Sequence, residues 1–258
     1  MKNSVRIAIT ASALAAFACI FAVICGMTAR SRSLMTCDGI RLIYADDYRF
    51  VTEEDIKGWL DAEYGAYIGQ RLDSIRLHKV ENVLNVQSAI LNSEAFTTDD
   101  GKLNIRLTQR EPVVRFQKDG YGFYADVNGF IFPLQENYIS MVPVVDGNVP
   151  VTAEEGYKGA LKDEKEREWM KGVISMVNYM NRSKVWAENI VQINVDEKGD
   201  IVMIPREGNE RFIFGSPFDA ENKFSRIERY YRYILPEKGE GYYRTVNVKF
   251  NKQIVCKK

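Results

Sequence analysis

Residues 102–117 read Lys-Leu-Asn-Ile-Arg-Leu-Thr-Gln-Arg-Glu-Pro-Val-Val-Arg-Phe-Gln. Leu103, Ile105 and Leu107 alternate with Lys102, Asn104, Arg106 and Thr108. A period of two apolar and polar residues is the pattern of a half-buried strand. Arg110-Glu111-Pro112 breaks it, and residues 113–117 start a new strand. The break divides the chain into a unit that ends here and another that begins.

Upstream, residues 39–44 (GIRLIY) read as a strand. Thr52-Glu-Glu-Asp55 has capping-box spacing, with Asp in the Glu position, and opens a helix to about residue 62. Ile56, Trp59 and Leu60 form its apolar stripe. Gly65 and Gly69 mark a loop. Asp73 is the expected cap of a second helix, reaching about residue 84, with Leu77, Val80 and Leu84 on one face. Residues 86–95 are a candidate strand, and Asp99-Asp100-Gly101 is a turn. The order is β-α-α-β-β.

Downstream, residues 122–134 read as a hairpin turning at Val127-Asn128-Gly129. Residues 141–146 form a short apolar strand containing Pro143, which places it at a sheet edge. Residues 161–181 are an amphipathic helix with Trp169, Val173, Met176, Val177 and Met180 on one side. Strands follow at 190–195, 200–205 and 210–214. A further helix at 219–235 turns Phe224, Ile227, Tyr231 and Ile234 inward. Residues 242–256 read as one final strand. The fold class is α+β: a β-α-α-β-β module at residues 34–110, then a mostly antiparallel β domain with two helices at 111–258.

Residues 7–29 carry no charge. As a helix they span about 34 Å, enough to cross a bilayer core of roughly 30 Å. They read as a single transmembrane helix after a six-residue cytoplasmic tail, residues 1–6. A cleaved signal peptide is the competing reading, disfavoured by the length of the run and by Met27, a poor residue two positions before the best cleavage candidate, Ala29. The topology is N-terminus inside, with everything after Ser33 outside the cytoplasm. Cys37 and Cys256 then lie where a disulfide is permitted, or remain two buried thiols.

The 258 residues are 46% hydrophobic and 27% charged, so a packed core is expected. Lys plus Arg and Asp plus Glu are both 35, and no basic run occurs, which argues against a nucleic-acid partner. His78 is the only histidine, which rules out sites built from two or three histidines. The four cysteines include no C-x-x-C pair. Gly120-Tyr-Gly122 precedes a hairpin instead of a helix and is no dinucleotide loop. P-loop, G-x-S-x-G and S-x-x-K motifs are absent. No catalytic, metal or cofactor residue is expected. A dispersed pair of carboxylates is the one enzymatic arrangement compatible with the sequence.

Several stretches, taken in order, resemble the FtsQ/DivIB cell-division family. Leu103 to Arg115 is similar to the last strand of that family's POTRA module and its R-x-P-V junction. Residues 122–132 resemble its Y-x-x-D-x-x-G-x-x-F hairpin, and Val142-Pro-Val-Val-Asp-Gly147 its L-P-x-[LV]-x-G element. Phe214-Gly215, Asp219 and Lys223-Phe224 resemble its F-G…K segment, and residues 247–258 resemble FtsQ-like proteins of the Bacteroidetes type. The resemblance implies a bitopic divisome scaffold, not an enzyme. It implies an inner-membrane protein with periplasmic POTRA and β domains at the division septum. It implies FtsB-like and FtsL-like coiled-coil partners, other divisome proteins, and a part in controlling septal peptidoglycan synthesis. The alternative is a membrane-anchored or exported cell-envelope enzyme with a dispersed carboxylate site. A POTRA-bearing assembly factor is a further rival, but residues after 110 lack the pattern of a membrane barrel.

Within the final strand, Val246, Val248 and Phe250 are expected in the core. Tyr243, Thr245, Asn247 and Lys249 are expected to face outward. In the resembling family this region takes an added partner strand, so these four are the candidate partner contacts. The POTRA-like module is expected to carry a separate interaction surface on a free sheet edge.

Overall fold

The computed structural model describes residues 16–23, 35–134 and 139–258. The expected tail at 1–6 and most of the expected anchor at 7–29 lie outside the described residues. Residues 16–23 are helical and exposed. Among the described residues, no helix is long and apolar enough to cross a membrane. The chain divides into two compact units between Gln109 and Arg110.

The first unit holds β1 (Gly39–Tyr44), α1 (Glu53–Trp59), α2 (Leu77–Asn85), β2 (Ile90–Thr97) and β3 (Lys102–Gln109). β3 lies between the other two strands, parallel to β1 and antiparallel to β2. Ile56 of α1, Leu60 in the turn that follows it, Val80 and Leu84 of α2, and Leu103, Ile105 and Leu107 of β3 are all buried. Thr52 and Asp55 form the reciprocal capping box. Asp73 does not cap α2. It sits in a short 3-10 turn, Leu72–Ser74, and pairs with Arg71, while α2 starts after Arg76 with no side-chain cap. Asn104 also departs from the alternation: it is buried, because its amide donates to Thr98 Oγ1 at 2.7 Å and Lys102 O at 3.2 Å.

The end of β3 is tied down by Gln109. Its N–H and Nε2 donate to the Asp46 carboxylate at 2.7 and 2.9 Å, and Val51 N–H donates to its Oε1 at 3.0 Å. Every polar group of this buried side chain is thereby paired, as burial requires.

The second unit is one mixed sheet of ten strands, ordered β13-β12-β11-β10-β9-β7-β4-β5-β6-β8. Its strands are β4 (Pro112–Lys118), β5 (Tyr121–Asp126), β6 (Phe130–Pro133), β7 (Val144–Gly147), β8 (Gly159–Ala160), β9 (Ile190–Val195), β10 (Ile201–Pro205), β11 (Arg211–Gly215), β12 (Thr245–Asn247) and β13 (Val255–Lys257). The helices are α3 (Glu164–Arg182), α4 (Lys184–Asn189), α5 (Ala220–Arg229) and α6 (Leu235–Lys238), so there are more than the two expected. Met176, Val177 and Met180 of α3 and Phe224 and Ile227 of α5 share a core with Ile193, Met203, Phe212 and Phe214 of the sheet. The Phe224 ring lies 5.0 to 5.5 Å from the rings of Trp186, Phe214 and Tyr179, at the centre of that core.

Pro143 misled the placement of β7. The strand starts one residue later, so the proline costs no ladder bond, and its carbonyl accepts from Arg115 N–H at 3.0 Å. β7 is therefore internal, parallel to both β4 and β9. Gly147 closes it with φ 84°; a Cβ there would lie 2.3 Å from Val195 O. The glycine of the V-P-V-V-D-G stretch thus has both a steric and a conformational reason.

Candidate partner-binding edge

Three of the segments that carry the family resemblance serve to build the second unit. Asp126, buried in the hairpin, accepts from Asn128 N–H at 2.8 Å and Phe130 N–H at 3.0 Å. Its other oxygen pairs with Arg110 at 2.9 Å, and the Arg110 guanidinium stacks 3.5 Å from the Phe130 ring centroid. The arginine of the junction thereby fixes the start of β4 to the turn of the next hairpin.

The Phe214-Gly215…Lys223 segment supports the C-terminal strands. Lys223 is buried and donates from Nζ to Ser216 O at 2.7 Å. Burial lowers its pKa from 10.5, because desolvation disfavours the ammonium. Arg226, one turn on, donates from Nε to Val248 O at 2.9 Å and holds the end of β12. Gly215, with φ 78°, leaves room for Lys249, whose Cβ would sit 2.6 Å from an added methyl group.

The final segment is not one strand. β12 ends at Asn247, residues 248–254 turn back, and β13 returns antiparallel to β12. The run Asn251-Lys252-Gln253 is the physical reason: three polar residues cannot continue a half-buried strand, and Lys252 takes φ 61° in the turn. Phe250, expected in the core, is 42% exposed at the lip of that turn, whereas Val246 and Val248 are fully buried.

This moves the open edge. Thr245 and Asn247 lie on β12, opposite Arg211 and Ile213 on one side and Lys257 and Val255 on the other. Both flanks of β12 are occupied, so these residues do not present unpaired backbone. Tyr243 precedes the strand. Lys249 follows it and donates from Nζ to Asp200 Oδ2 at 2.6 Å. All four side chains are half-buried.

The edge is β13. Arg211 N–H donates to Arg244 O at 2.8 Å, and Val248 N–H to Ile213 O at 3.0 Å. Val246 therefore bonds β11, Thr245 and Asn247 pair with Lys257 and Val255 of β13, and Arg244 N–H also donates to Lys257 O at 2.9 Å. Alternation along β13 then turns the N–H and C=O of Cys256 away from β12, toward the open side. The Cys256 thiol packs half-buried against the core, and burial raises its pKa from 9.0. Cys37 and Cys256 are both free thiols.

The first unit has two sheet edges. On β2, the outward Ala95 N–H is capped by Glu81 Oε1 at 2.9 Å. On β1, Ala45 N–H donates to Leu107 O at 2.8 Å, so the odd positions bond β3 and the backbone of Leu42 points to the open side.

Among the described residues, no group of three His, Cys, Asp or Glu side chains is arranged to hold a metal ion. His78 is exposed, 3.8 Å from Glu81.

A family model described as FtsQ/DivIB, C-terminal related, matches residues 111–257, more than half of the chain. The chain belongs to the FtsQ/DivIB family. A POTRA-like domain model matches residues 36–108, the β-α-α-β-β unit. None of the curated proteins matches the chain. FtsQ/DivIB proteins are non-enzymatic division scaffolds, and membership gives this chain a cell-division scaffold role built on protein–protein interaction.

Sequence reasoning placed the edge one strand too far in and missed α4. The polar run at 251–253 was the available signal for the first. For the second there was little: α4 has six residues, and only Trp186 among them is buried.

Proposed function

We propose that this FtsQ/DivIB protein is a single-pass inner-membrane scaffold that captures FtsB-like and FtsL-like partners by strand addition to β13. The uncharged run at residues 7–29 supplies the anchor, the short tail remains cytoplasmic, and both units lie in the periplasm at the division septum. Capture of these partners ties the protein to control of septal peptidoglycan synthesis. The observation that carries the reading is the open backbone of Cys256 at the end of the ten-stranded sheet. An added strand gains affinity from backbone bonds and selectivity from side chains. Thr245 and Asn247, one strand in, flank the outward side chains of the added strand, with Tyr243 and Lys249 at either end. The open edge of β1 is a second surface, serving recruitment to the septum.

Co-purification from membranes with the FtsB-like and FtsL-like proteins tests the partner assignment. Loss of both partners from a folded chain lacking residues 254–258 is the expected result. Full capture by that chain contradicts strand addition at β13. The topology is tested by labelling cysteines engineered after Ser33 with an impermeant reagent in intact cells; a mature N-terminus near Arg30 contradicts the anchor.

A further inference from the structure

We propose that a cleft between α5 and the turn at residues 251–254 is a binding site for a phosphate group. The cleft holds about 420 Å³ and is lined by Asn222, Ser225, Arg226 and Arg229 from α5 and by Lys252 and Gln253 from the turn, among others. The four α5 residues fall at i, i+3, i+4 and i+7, one helix face. Three cations line the cleft and no carboxylate does.

Arg226 is the built part of the site. Its side chain is only 8% exposed, and its Nε is fixed by Val248 O at 2.9 Å. The nearest carboxylate, Asp219, stands 4.0 Å from Nη2, beyond hydrogen-bond distance, and is also engaged by Asn222 Nδ2 at 2.6 Å. Asp219 is thus a counter-ion that accepts no hydrogen bond from the guanidinium, and the buried Nη donors are costly to leave unfilled unless a further anion completes them. The side chains of Arg229 and Lys252 have no hydrogen-bond or ion-pair partner among the described residues. Lys252 is also held at φ 61°, a left-handed backbone region that is unfavourable for a residue with a side chain. Concave placement of like charges focuses their field and concentrates anions.

The donor set selects phosphate over carboxylate. Two guanidinium forks, one ammonium and the Ser225 hydroxyl offer more donors than the two oxygens of a carboxylate can accept. A phosphate ester presents three oxygens and, at about pH 7, roughly 1.5 to 2 negative charges, and inorganic phosphate presents four oxygens and more than one charge. The phosphate is either free or part of an ester, and both fit the same donors.

The test uses the full chain, isotopically labelled, in detergent micelles above that pH and at constant ionic strength. Inorganic phosphate is expected to cause saturable shifts of the Arg226, Arg229, Lys252 and Gln253 amides. Acetate should cause none at the same concentrations. Arg229→Gln and Lys252→Gln, both at exposed positions, should leave the thermal midpoint unchanged and weaken phosphate binding at least tenfold each. Glycerol phosphate distinguishes the sources: equal affinity assigns an ester, and binding of inorganic phosphate alone assigns the free ion. Unsaturable shifts, equal shifts with acetate, or unchanged affinity in both folded variants would overturn the proposal.

Discussion

Cys256→Pro separates partner capture from folding. Cys256 sits on β13 with its N–H directed away from β12, so proline removes a donor that the folded chain does not use. The neighbouring Val255 and Lys257 keep the bonds to Asn247 and Thr245. The half-buried thiol is replaced by a ring of similar bulk, so stability should change by no more than about 1 kcal/mol. An incoming strand fares differently. One of its carbonyls loses its partner and meets the ring, at a cost of about 2–3 kcal/mol, or roughly 30- to 150-fold in Kd. The assay is titration of the labelled FtsB-like segment with full-length protein, next to a thermal melt of the same sample. Cys256→Val, which keeps the N–H, should bind as the parent does. Val255→Pro should melt earlier, because it breaks a ladder bond. A folded Cys256→Pro protein with parental affinity would refute strand addition at this edge.

Gly147→Ala should destabilise the second unit by roughly 3 kcal/mol or prevent its folding, since it adds a methyl group 2.3 Å from Val195 O at φ 84°; denaturant melts with a near-parental midpoint would count against the parallel β7–β9 packing. Phe224→Ala empties the centre of the aromatic cluster and should cost about 3–5 kcal/mol, read as an earlier denaturant midpoint; a loss under about 1 kcal/mol would mean that the cluster collapses around the gap. Stability should fall as pH rises through the alkaline range. Burial pushes the phenols of Tyr67 and Tyr230 up to about 12 from 10.0, so above pH 10 the unfolded chain loses protons that the folded chain keeps. Their contribution is complete below 10.0 and lost by about 12; a midpoint that stays flat across that window would contradict it.

The strands with clean alternation or a marked turn were legible. β1, β3 and β9 match their expected bounds, because each has a distinct inner face or is flanked by turn residues. The capping box at Thr52 was legible for the same local reason. What failed depended on neighbours distant in sequence. β7 is internal because β4 and β9 close on it from both sides, which Pro143 alone could not reveal. The helix cap expected at Asp73 lost to an ion pair with Arg71. At the candidate site, Val246 and Val248 were read correctly as core residues, but the hairpin that hides β12 behind β13 was not. A sheet edge is a property of which strand has no neighbour, and a period-two pattern reports only faces.

The most direct test of the account is amide hydrogen exchange at Cys256 in the full-length protein, with and without its FtsB-like partner. In the free protein this amide points off the edge of the sheet and should exchange quickly, in contrast to those of Val255 and Lys257. Bound partner should slow it by at least a hundredfold at saturating occupancy, while the amides of β11 change little. A saturated complex in which the Cys256 amide exchanges as fast as in the free protein would contradict capture by strand addition at β13.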